Sequence, residues 1–267
     1  MSTNLEIRRE DRVLRLILNR PEKRNALSFA LCRELVEAIQ QAEQDAGIGA
    51  ILVGANGPAF CAGMDLDEAL APDAAARAAI HEQLFSVGVR LTKPVVAAVH
   101  GPALGGGTGL VASAHIVVAA QGSTFGLTEI RLGMWPFVVY RAVALAIGER
   151  RALELSLTGR IFGAEEALQW GLVQQVVPAL ELEQRASQVA AGVAVWSQEA
   201  IRRGLTFVQQ ARGRSWEETG ALAASFREEA FRSPDFAEGV RAFQEKRAPR
   251  WRSQSPNGSS RRRSPGT

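Results

Sequence analysis

Residues Lys93 to Gly109 read KPVVAAVHGPALGGGTG, and this stretch decides how the rest of the chain is interpreted. Its apolar run, Val95 to Val99, has the length and composition of a buried strand. Three consecutive glycines, Gly105 to Gly107, then introduce an apolar segment that predicts a helix. A strand that turns through glycine into a helix leaves backbone N–H groups unpaired at the positive end of the helix dipole. We therefore predict that this turn holds negative charge.

The spacing of these glycines excludes the common nucleotide-binding turns. A dinucleotide-binding G-x-G-x-x-G frame that starts at Gly105 requires a small residue at the position of Leu110. No Lys-Ser or Lys-Thr pair follows the glycines, which excludes a P-loop. The remaining chemical use of such a turn is an oxyanion hole, which requires a second backbone N–H donor from elsewhere in the chain.

A second turn of the same kind lies about forty residues upstream. The apolar run Ala50 to Ala55 predicts another buried strand, and the segments Gly57-Pro58 and Phe60 to Glu68 follow it. The three carboxylates of the last segment predict the first turn of a helix, where negative charge complements the dipole. Two such units in succession are expected to bring two sets of free amides to one side of a sheet.

On these residues the chain resembles the crotonase (enoyl-CoA hydratase/isomerase) superfamily, and the resemblance extends from residue 3 to residue 252. The resemblance implies an α/β, crotonase-like fold of repeated ββα units, followed by a helical C-terminal trimerisation lobe. Six motifs carry it in the expected order: Asn19–Leu27, Phe60–Leu66, His100–Gly107, Phe125–Gly133, Gly159–Gly171 and Ser233–Pro249.

The resemblance also implies where the site lies. In similar proteins, main-chain N–H groups at the positions of Met64 and Gly106 form an oxyanion hole that binds the thioester carbonyl of an acyl-CoA. Arg24 and Ala26 match positions that lie along the CoA nucleotide, and a cationic side chain there suits phosphate. The remaining positions implied to contact the substrate are Ala62, Asp65, Leu66, Gly105 and Phe137, with Phe243 and Lys246 on the last helix. On sequence alone, that last helix is equally well explained as an amphipathic closing helix.

Glu129 decides which reaction is expected. The hydratases of the superfamily use two glutamates, and the position of the first is Gly109 in this chain. One carboxylate can still move a proton between two carbons of a chain whose thioester is held as an enolate. We therefore expect Δ3-Δ2 enoyl-CoA isomerisation, with 2-enoyl-CoA hydration as the alternative. Glu129 as an exposed loop carboxylate, and the chain as a non-catalytic acyl-CoA-binding or assembly subunit, are further alternatives.

The acyl pocket is expected to be apolar. The segment Gly133 to Tyr140, interpreted as a loop, carries Trp135 and Phe137, and a dry pocket raises the pKa of a carboxyl group. The alanine-rich stretch Ala71 to Leu91 predicts a helix with His81 on its surface, and the resemblance implies that this segment covers the acyl pocket. The sequence does not determine the length or branching of the acyl group. A thiolate hydrolase built on Cys61 and His100 is disfavoured, because nothing else in the sequence supports covalent catalysis.

Composition limits the class of protein. At 267 residues with 46% apolar content, the chain is long enough for one sizeable core, with or without a small appended lobe. It has no run of eighteen apolar residues, and its N-terminus, MSTNLEIRRE, has no apolar signal segment, so we expect neither a membrane-spanning nor a secreted protein. Two cysteines make no disulfide framework, which favours a cytoplasmic location.

The formal net charge of +3 does not indicate nucleic-acid binding. Five arginines lie in residues 250–267, which contain no acidic residue, so the rest of the chain has a net charge of −2. Residues 253–267 have no apolar side chains to bury, and we predict that they form a disordered basic tail.

Domain organisation and partners follow from the resemblance. We predict an acyl-CoA-binding catalytic core over residues 1–195 and a helical oligomerisation lobe over residues 196–252, in a homotrimer or a hexamer built as a dimer of trimers. Three scattered histidines and two scattered cysteines lack the spacing of metal ligands. The acyl-CoA is itself the substrate, so no further cofactor is expected.

Two further patterns predict secondary structure. Residues 4 to 19 predict two short strands around Glu10-Asp11, and Ser28 to Ala46 predicts a helix with Ser28 as its N-cap. After Glu181, we predict three helical stretches with breaks at Val195 to Gln198, at Gly213 and at Ser233-Pro234.

Overall fold

The computed structural model describes residues 4–69 and 74–252. Within those ranges the strands are β1 (Leu5–Glu10), β2 (Val13–Leu18), β3 (Ala50–Ala55), β4 (Val95–Val99), β5 (Pro102–Leu104), β6 (Ile116–Ala120), β7 (Thr124–Gly126), β8 (Ile161–Gly163) and β9 (Gln175–Val177). The α-helices are α1 (Phe29–Gln44), α2 (Ala74–Phe85), α3 (Val87–Arg90), α4 (Gly106–Ser113), α5 (Phe137–Ile147), α6 (Glu149–Thr158), α7 (Ala164–Gln169), α8 (Leu182–Ala194), α9 (Gln198–Ala211), α10 (Trp216–Phe231) and α11 (Pro234–Gln244). Short 3₁₀ helices span Pro21–Lys23, Glu129–Leu132 and Ala179–Glu181.

The main sheet has the order β1-β2-β3-β4-β6-β9. In this sheet β1 and β2 pair antiparallel, and the later pairs among its described strands are parallel. Residues alternate between the two faces of each strand: Val95, Ala97 and Val99 join the core cluster that contains α1, whereas Val96 and Ala98 join the cluster that contains α8. Because both faces are covered, the central strands are continuous apolar runs, as the sequence predicts.

The predicted strands and first helix at the N-terminal end are confirmed. β1 and β2 pair around Asp11, which has a φ of 51°. The hydroxyl of Ser28 accepts a hydrogen bond from the backbone N–H of Leu31 at 3.2 Å and so caps α1. The apolar face of α1 is buried against the sheet, which is what the helical spacing of its leucines requires.

The glycine-rich stretch contains a strand that the sequence analysis missed. The prediction had β4 turn through glycine directly into a helix. Instead, Pro102–Leu104 forms β5, which pairs with β7 in a second sheet of order β5-β7-β8, and α4 begins only after it. A three-residue strand that begins with proline has too little apolar pattern to be recognised. The turn that precedes α4 therefore lies at the end of the second sheet.

Two other predictions about local structure are wrong. The carboxylates after Gly63 do not begin a helix: residues 66–69 form a turn, because Asp65 is held by Arg20 and by the backbone of Leu27. In addition, α5 begins at Phe137, so the second half of the segment interpreted as a loop is helical. The predicted helix from Ala71 is found as α2 and α3, but residues 71–73 lie outside the described ranges.

The C-terminal part is helical, as predicted, although its three breaks separate four helices rather than three. The first of them, α8, packs on the main sheet, and α9 packs against α10. Ser197 and Asp235 form a buried hydrogen bond of 2.6 Å that joins the starts of α9 and α11. The domain boundary at residue 195 stays a prediction, and the predicted tail over residues 253–267 lies outside the described ranges. No helix in those ranges is long and apolar enough to span a membrane.

The start of α4 packs so closely on the backbone at Cys61 that Gly107 has no room for a side chain. A Cβ at Gly107 would lie 2.2 Å from the carbonyl oxygen of Cys61, whereas a Cβ at Gly204, in α9, would meet no atom within 4 Å. Neither of these helical glycines has a positive φ, so substitutions at the two positions differ mainly in the room available for a side chain.

We predict that Gly107→Ala lowers the free energy of unfolding by about 1–3 kcal/mol, because the backbone of α4 must move. The matched substitution Gly204→Ala should raise it by about 0.5–1 kcal/mol, since alanine favours an open helical position. Chemical denaturation of both variants measures the difference. Equal stability of Gly107→Ala and the unmodified protein would contradict the packing.

Candidate active site

The two glycine turns meet, as the sequence analysis predicted. A Cβ built on Gly63 would lie 3.5 Å from the backbone nitrogen of Gly106, and one built on Gly106 would lie 3.7 Å from the Cα of Gly63. The segments are therefore in van der Waals contact through backbone alone. The amides of Met64 and Gly106 lie on one surface, because both residues line the same cavity.

Leu27 fixes the first amide. Its N–H donates to the carbonyl of Gly63 at 2.7 Å, and its carbonyl accepts from the N–H of Asp65 at 3.1 Å. This parallel bridge uses the residues on either side of Met64, so the N–H of Met64 points away from Leu27. Among the described residues that N–H has no acceptor. It is therefore available to a ligand.

The second amide is the first N–H of α4. Such an N–H has no partner within its own helix, and across the described part of the chain Gly106 N–H has no other acceptor. Gly105 precedes it with φ 52° and ψ −117°, a conformation that glycine adopts at little cost. The N–H of Gly105 donates to the carbonyl of Gly126 at 2.8 Å. The N–H of Gly105 is therefore used within the protein, whereas that of Gly106 is left for a ligand.

Thr108 holds α4 on the second sheet. Its buried hydroxyl lies 2.7 Å from the carbonyl oxygen of Ala103 in β5 and accepts from the N–H of Gly126 in β7 at 3.0 Å. The bond anchors the helix start two residues beyond the free amide. The sequence analysis missed this residue, because a threonine between glycines gives no signal of its partners.

The carboxylate of Glu129 lies beside the oxyanion turn. A Cβ on Gly105 would be 2.9 Å from Oε1 of Glu129, and only 8% of the glutamate is exposed. Burial raises the pKa of Glu129 above the ordinary value of a glutamate, although its own backbone N–H opposes the shift. Oε2 has no hydrogen-bond partner in the described structure. A buried carboxylate with an unpartnered oxygen is placed to exchange a proton with a ligand.

Glu129, Met64 and Gly106 line one cavity of about 560 Å³. Among the predicted substrate contacts, Ala62, Leu66, Gly105 and Phe137 also line it. Most of the other lining side chains are apolar, including Leu27, Phe85, Leu132, Met134, Trp135 and Val139. The predicted apolar pocket around the carboxylate is therefore present.

The other predicted site residues lie elsewhere. Asp65 is buried in an ion pair and does not line the cavity. Arg24 is exposed, and Ala26 is buried at the end of the same turn. Phe243, 85% exposed, lies near the end of α11, and Lys246 lies in the turn that follows this helix. Neither residue is among the described residues that line the cavity. The structure does not bring these two residues to the carboxylate within one chain.

Gly109, the position of the first hydratase glutamate, is surrounded by apolar side chains. A Cβ on Gly109 would lie 2.9 Å from the ring of Phe85 and 3.0 Å from a methyl group of Val139. Phe85 comes from α2 and Val139 from α5, so two helices close the space from different sides. The chain lacks room for a carboxylate there as well as the carboxylate itself.

The ion pair of Arg20 and Asp65 joins two motifs of the sequence. Arg20 Nη2 lies 2.8 Å from Asp65 Oδ2, and Arg20 Nη1 donates to the carbonyl of Ala26. The side chains are 14% and 6% exposed, respectively. The pair fixes the residue that follows Met64, so it positions the first oxyanion donor. No sequence signal pairs two residues that lie 45 positions apart.

The alternative based on Cys61 is excluded. Burial raises the pKa of the Cys61 thiol to about 12, so the thiolate does not form near neutral pH. His100 Nε2 lies 2.8 Å from the carbonyl oxygen of Gly57 instead. His81, predicted to be a surface residue, is half-buried and lines the cavity. The spacing of four residues between His81 and Phe85 could have predicted this position, because residues so spaced share one face of a helix.

Comparisons with known proteins identify one family and one fold. A family model described as Enoyl-CoA hydratase/isomerase matches residues 8–254. Mevalonyl-coenzyme A hydratase of Aspergillus fumigatus is 35% identical over 251 residues, which cover 90% of this chain and 91% of the relative. The enoyl-CoA hydratase structure from Mycobacterium smegmatis superposes with a TM-score of 0.89 at 31% identity and covers 94% of this chain and 99% of its own. The structure from Bacillus anthracis gives a TM-score of 0.86 at 31% identity, with coverages of 93% and 98%.

The buried ion pair generates a prediction about stability. Arg20→Met should lower the free energy of unfolding by about 3 kcal/mol, because Asp65 becomes an unpaired buried charge. The double variant Arg20→Met/Asp65→Asn should recover part of this loss, since the charge is then removed. Chemical denaturation measures both.

The control for this prediction is the exposed pair Lys23–Asp67, whose atoms lie 2.6 Å apart. Lys23→Met removes a contact that is no longer than that of the Arg20 pair but is screened by solvent, so it should leave the stability unchanged. An effect of Lys23→Met as large as that of Arg20→Met would show that burial of the Arg20 pair does not decide the outcome.

Proposed function

Because the chain belongs to the enoyl-CoA hydratase/isomerase (crotonase) family, we propose that it moves the double bond of an enoyl-CoA thioester from the Δ3 to the Δ2 position. Two unpaired amides next to one buried carboxylate support this reaction. Among these features, the carboxylate beside the oxyanion turn carries the proposal, since it is the base that the reaction requires.

The oxyanion amides act on the thioester oxygen. The N–H groups of Met64 and Gly106 donate to it, and they donate more strongly as negative charge develops there. Each such donor contributes about 3 kcal/mol to the stabilisation of the transition state. The proton on the carbon next to the carbonyl becomes more acidic, because the electrons that it leaves behind are delocalised onto the held oxygen.

Glu129 then moves the proton. Its ionised carboxylate removes a proton from C2, and the C–H electrons form a dienolate that extends over C2, C3 and C4. The protonated Glu129 returns the proton to C4, and the electrons settle as a double bond between C2 and C3. The carboxylate ends as it began, so one residue completes the cycle.

The packing at Gly109 favours bond migration over water addition. Hydration uses one group to activate water and another to protonate carbon, and here Phe85 and Val139 occupy the place of the second group. The apolar lining of the cavity also disfavours a bound water. Hydration of a 2-enoyl-CoA is nevertheless the second candidate, because the similar proteins named above are hydratases.

Other parts of the proposal concern binding and assembly. We propose that the CoA nucleotide lies along the turn that contains Arg24 and Ala26, since the guanidinium there is exposed and suits phosphate. Phe243 and Lys246 would reach CoA from a neighbouring subunit of a homotrimer or hexamer. The thioester serves as substrate, and we propose no additional cofactor. The cytoplasmic location stays a prediction.

We predict that the protein converts 3-enoyl-CoA esters into conjugated 2-enoyl-CoA esters, which absorbance of the conjugated thioester measures directly. Glu129→Gln should lower kcat/KM by about 100-fold or more, because the amide cannot take the proton. Glu165→Gln, which removes an exposed carboxylate in α7, is the matched control and should keep full activity.

Three results would reject this proposal. Loss of the chromophore from 2-enoyl-CoA without any conversion of 3-enoyl-CoA would identify a hydratase. Unchanged rates of both reactions in Glu129→Gln would show that Glu129 is not the base. Binding of thioesters without any turnover would identify a binding or assembly subunit.

The burial of Glu129 also predicts a pH dependence. Glu129 must be ionised to accept the proton, so kcat/KM should fall as the pH decreases through its pKa. Because burial raises that pKa, the midpoint of the decline should lie above pH 4.5, the ordinary value for glutamate. The decline should be absent from the residual activity of Glu129→Gln. A midpoint at or below 4.5 would contradict the dry environment.

A further inference from the structure

The cavity has a second set of polar groups that the proposed reaction does not use. Arg77, His81 and Phe85 lie four residues apart on one face of α2, and all three line the cavity. Phe85 marks the reacting end, because its ring lies 3.3 Å from the Cβ position of Gly106. By the rise of an α-helix, His81 is about 6 Å and Arg77 about 12 Å further along the axis.

His81 is a hydrogen-bonding group without a protein partner. Its ring contacts Phe85, with 6.2 Å between the ring centroids, but in the described structure neither ring nitrogen makes a hydrogen bond. Burial, and then the charge of Arg77, lower the pKa of His81, so the neutral ring prevails at pH 7. A neutral imidazole offers one N–H donor. An alkyl chain packed against it would leave that donor unsatisfied, which is unfavourable.

The charges around this part of the cavity favour an anion. Arg77 and Arg131 line the cavity, and among its described lining residues Glu129 is the only acidic one. Glu129 lies at the oxyanion turn, one end of the cavity, and burial raises its pKa. Glu68 is the acidic residue whose charge acts on His81, and its Oε2 accepts from the N–H of Phe29 at 2.7 Å. The part of the cavity that α2 lines therefore carries positive charge from Arg77, and the one acidic residue of the described lining lies at the other end.

On the premise of the proposed acyl-CoA chemistry, we propose that the natural acyl group carries a carboxylate at the end remote from the thioester, and that Arg77 and His81 bind it. A guanidinium and an imidazole N–H on one helix face can both donate to one carboxylate, and charge-assisted bonds of this kind are strong in an apolar cavity. The thioester then lies at Gly106 and the remote carboxylate lies one to two helical turns away.

The experiment compares binding of saturated thioesters, which undergo no turnover. Calorimetry would measure, at several chain lengths, the affinities of an ω-carboxyacyl-CoA, an ω-hydroxyacyl-CoA and the matching unsubstituted acyl-CoA. At the best length, the unmodified protein should bind the carboxylated ester at least tenfold more tightly than the other two. Arg77→Met and His81→Phe should each reduce that preference several-fold, while binding of the unsubstituted ester should be retained. Arg77→Lys should keep part of it.

Arg141→Met provides the matched control. Arg141 lies on α5 and contacts Glu82 of α2 at 2.9 Å, but it does not line the cavity, so its removal should leave the preference unchanged. Retained binding of the unsubstituted ester also shows that a variant is folded.

The inference is overturned if the unmodified protein binds the unsubstituted or hydroxylated ester as tightly as the carboxylated one. It is also overturned if neither Arg77→Met nor His81→Phe changes the preference. These outcomes are distinct from those that test the proposed reaction. A protein that prefers the carboxylated ester but does not isomerise 3-enoyl esters would support the carboxylate site and contradict the proposed isomerisation.

Discussion

The contact between two backbone turns, at Gly63 and at Gly105-Gly106, is the constraint on which the rest of the site depends. The turns touch without side chains between them, so two N–H groups from distant parts of the chain lie on one surface. Three sets of interactions hold these N–H groups in place. Leu27 bonds on either side of Met64, Arg20 pairs with the next residue, and Thr108 fixes α4 to the second sheet. None of them needs to touch a substrate to matter for the reaction.

The same contact explains the position of the Glu129 carboxylate and its raised pKa. Its carboxylate lies against Gly105, where any side chain would displace it, and the helices α2 and α5 keep the surroundings apolar. Geometry and acidity are thus set together, because the packing that places the carboxylate also removes the water that would stabilise its charge. α2 has a double role, since one of its faces supplies both Phe85 near the reacting atoms and the polar groups further along.

Most of the framework could be predicted from sequence, because it depends on local patterns. The apolar runs of β3 and β4, the cap at Ser28 and the glycine turn before α4 each follow from residues that are near each other in the chain. What was missed depends on contacts between distant segments. The carboxylate of Asp65 suits the first turn of a helix, but it pairs with Arg20 instead. The strand β5 is held by β7 on one side and by a bridge to Cys61 on the other. His81 was predicted on the surface of its helix, but α2 packs against α5 and His81 is half-buried.

The filled space at Gly109 restricts how this protein could change its chemistry. Introducing a carboxylate there by one substitution would force a charged group between an aromatic ring and a valine, so the first step would damage the fold before it helped the reaction. Phe85 and Val139 would have to shrink beforehand, each with its own loss of packing. A series of single substitutions that leads to a two-carboxylate enzyme therefore passes through variants of reduced stability. The packing of Phe85 and Val139, rather than the absence of the acid, determines how much stability those variants lose.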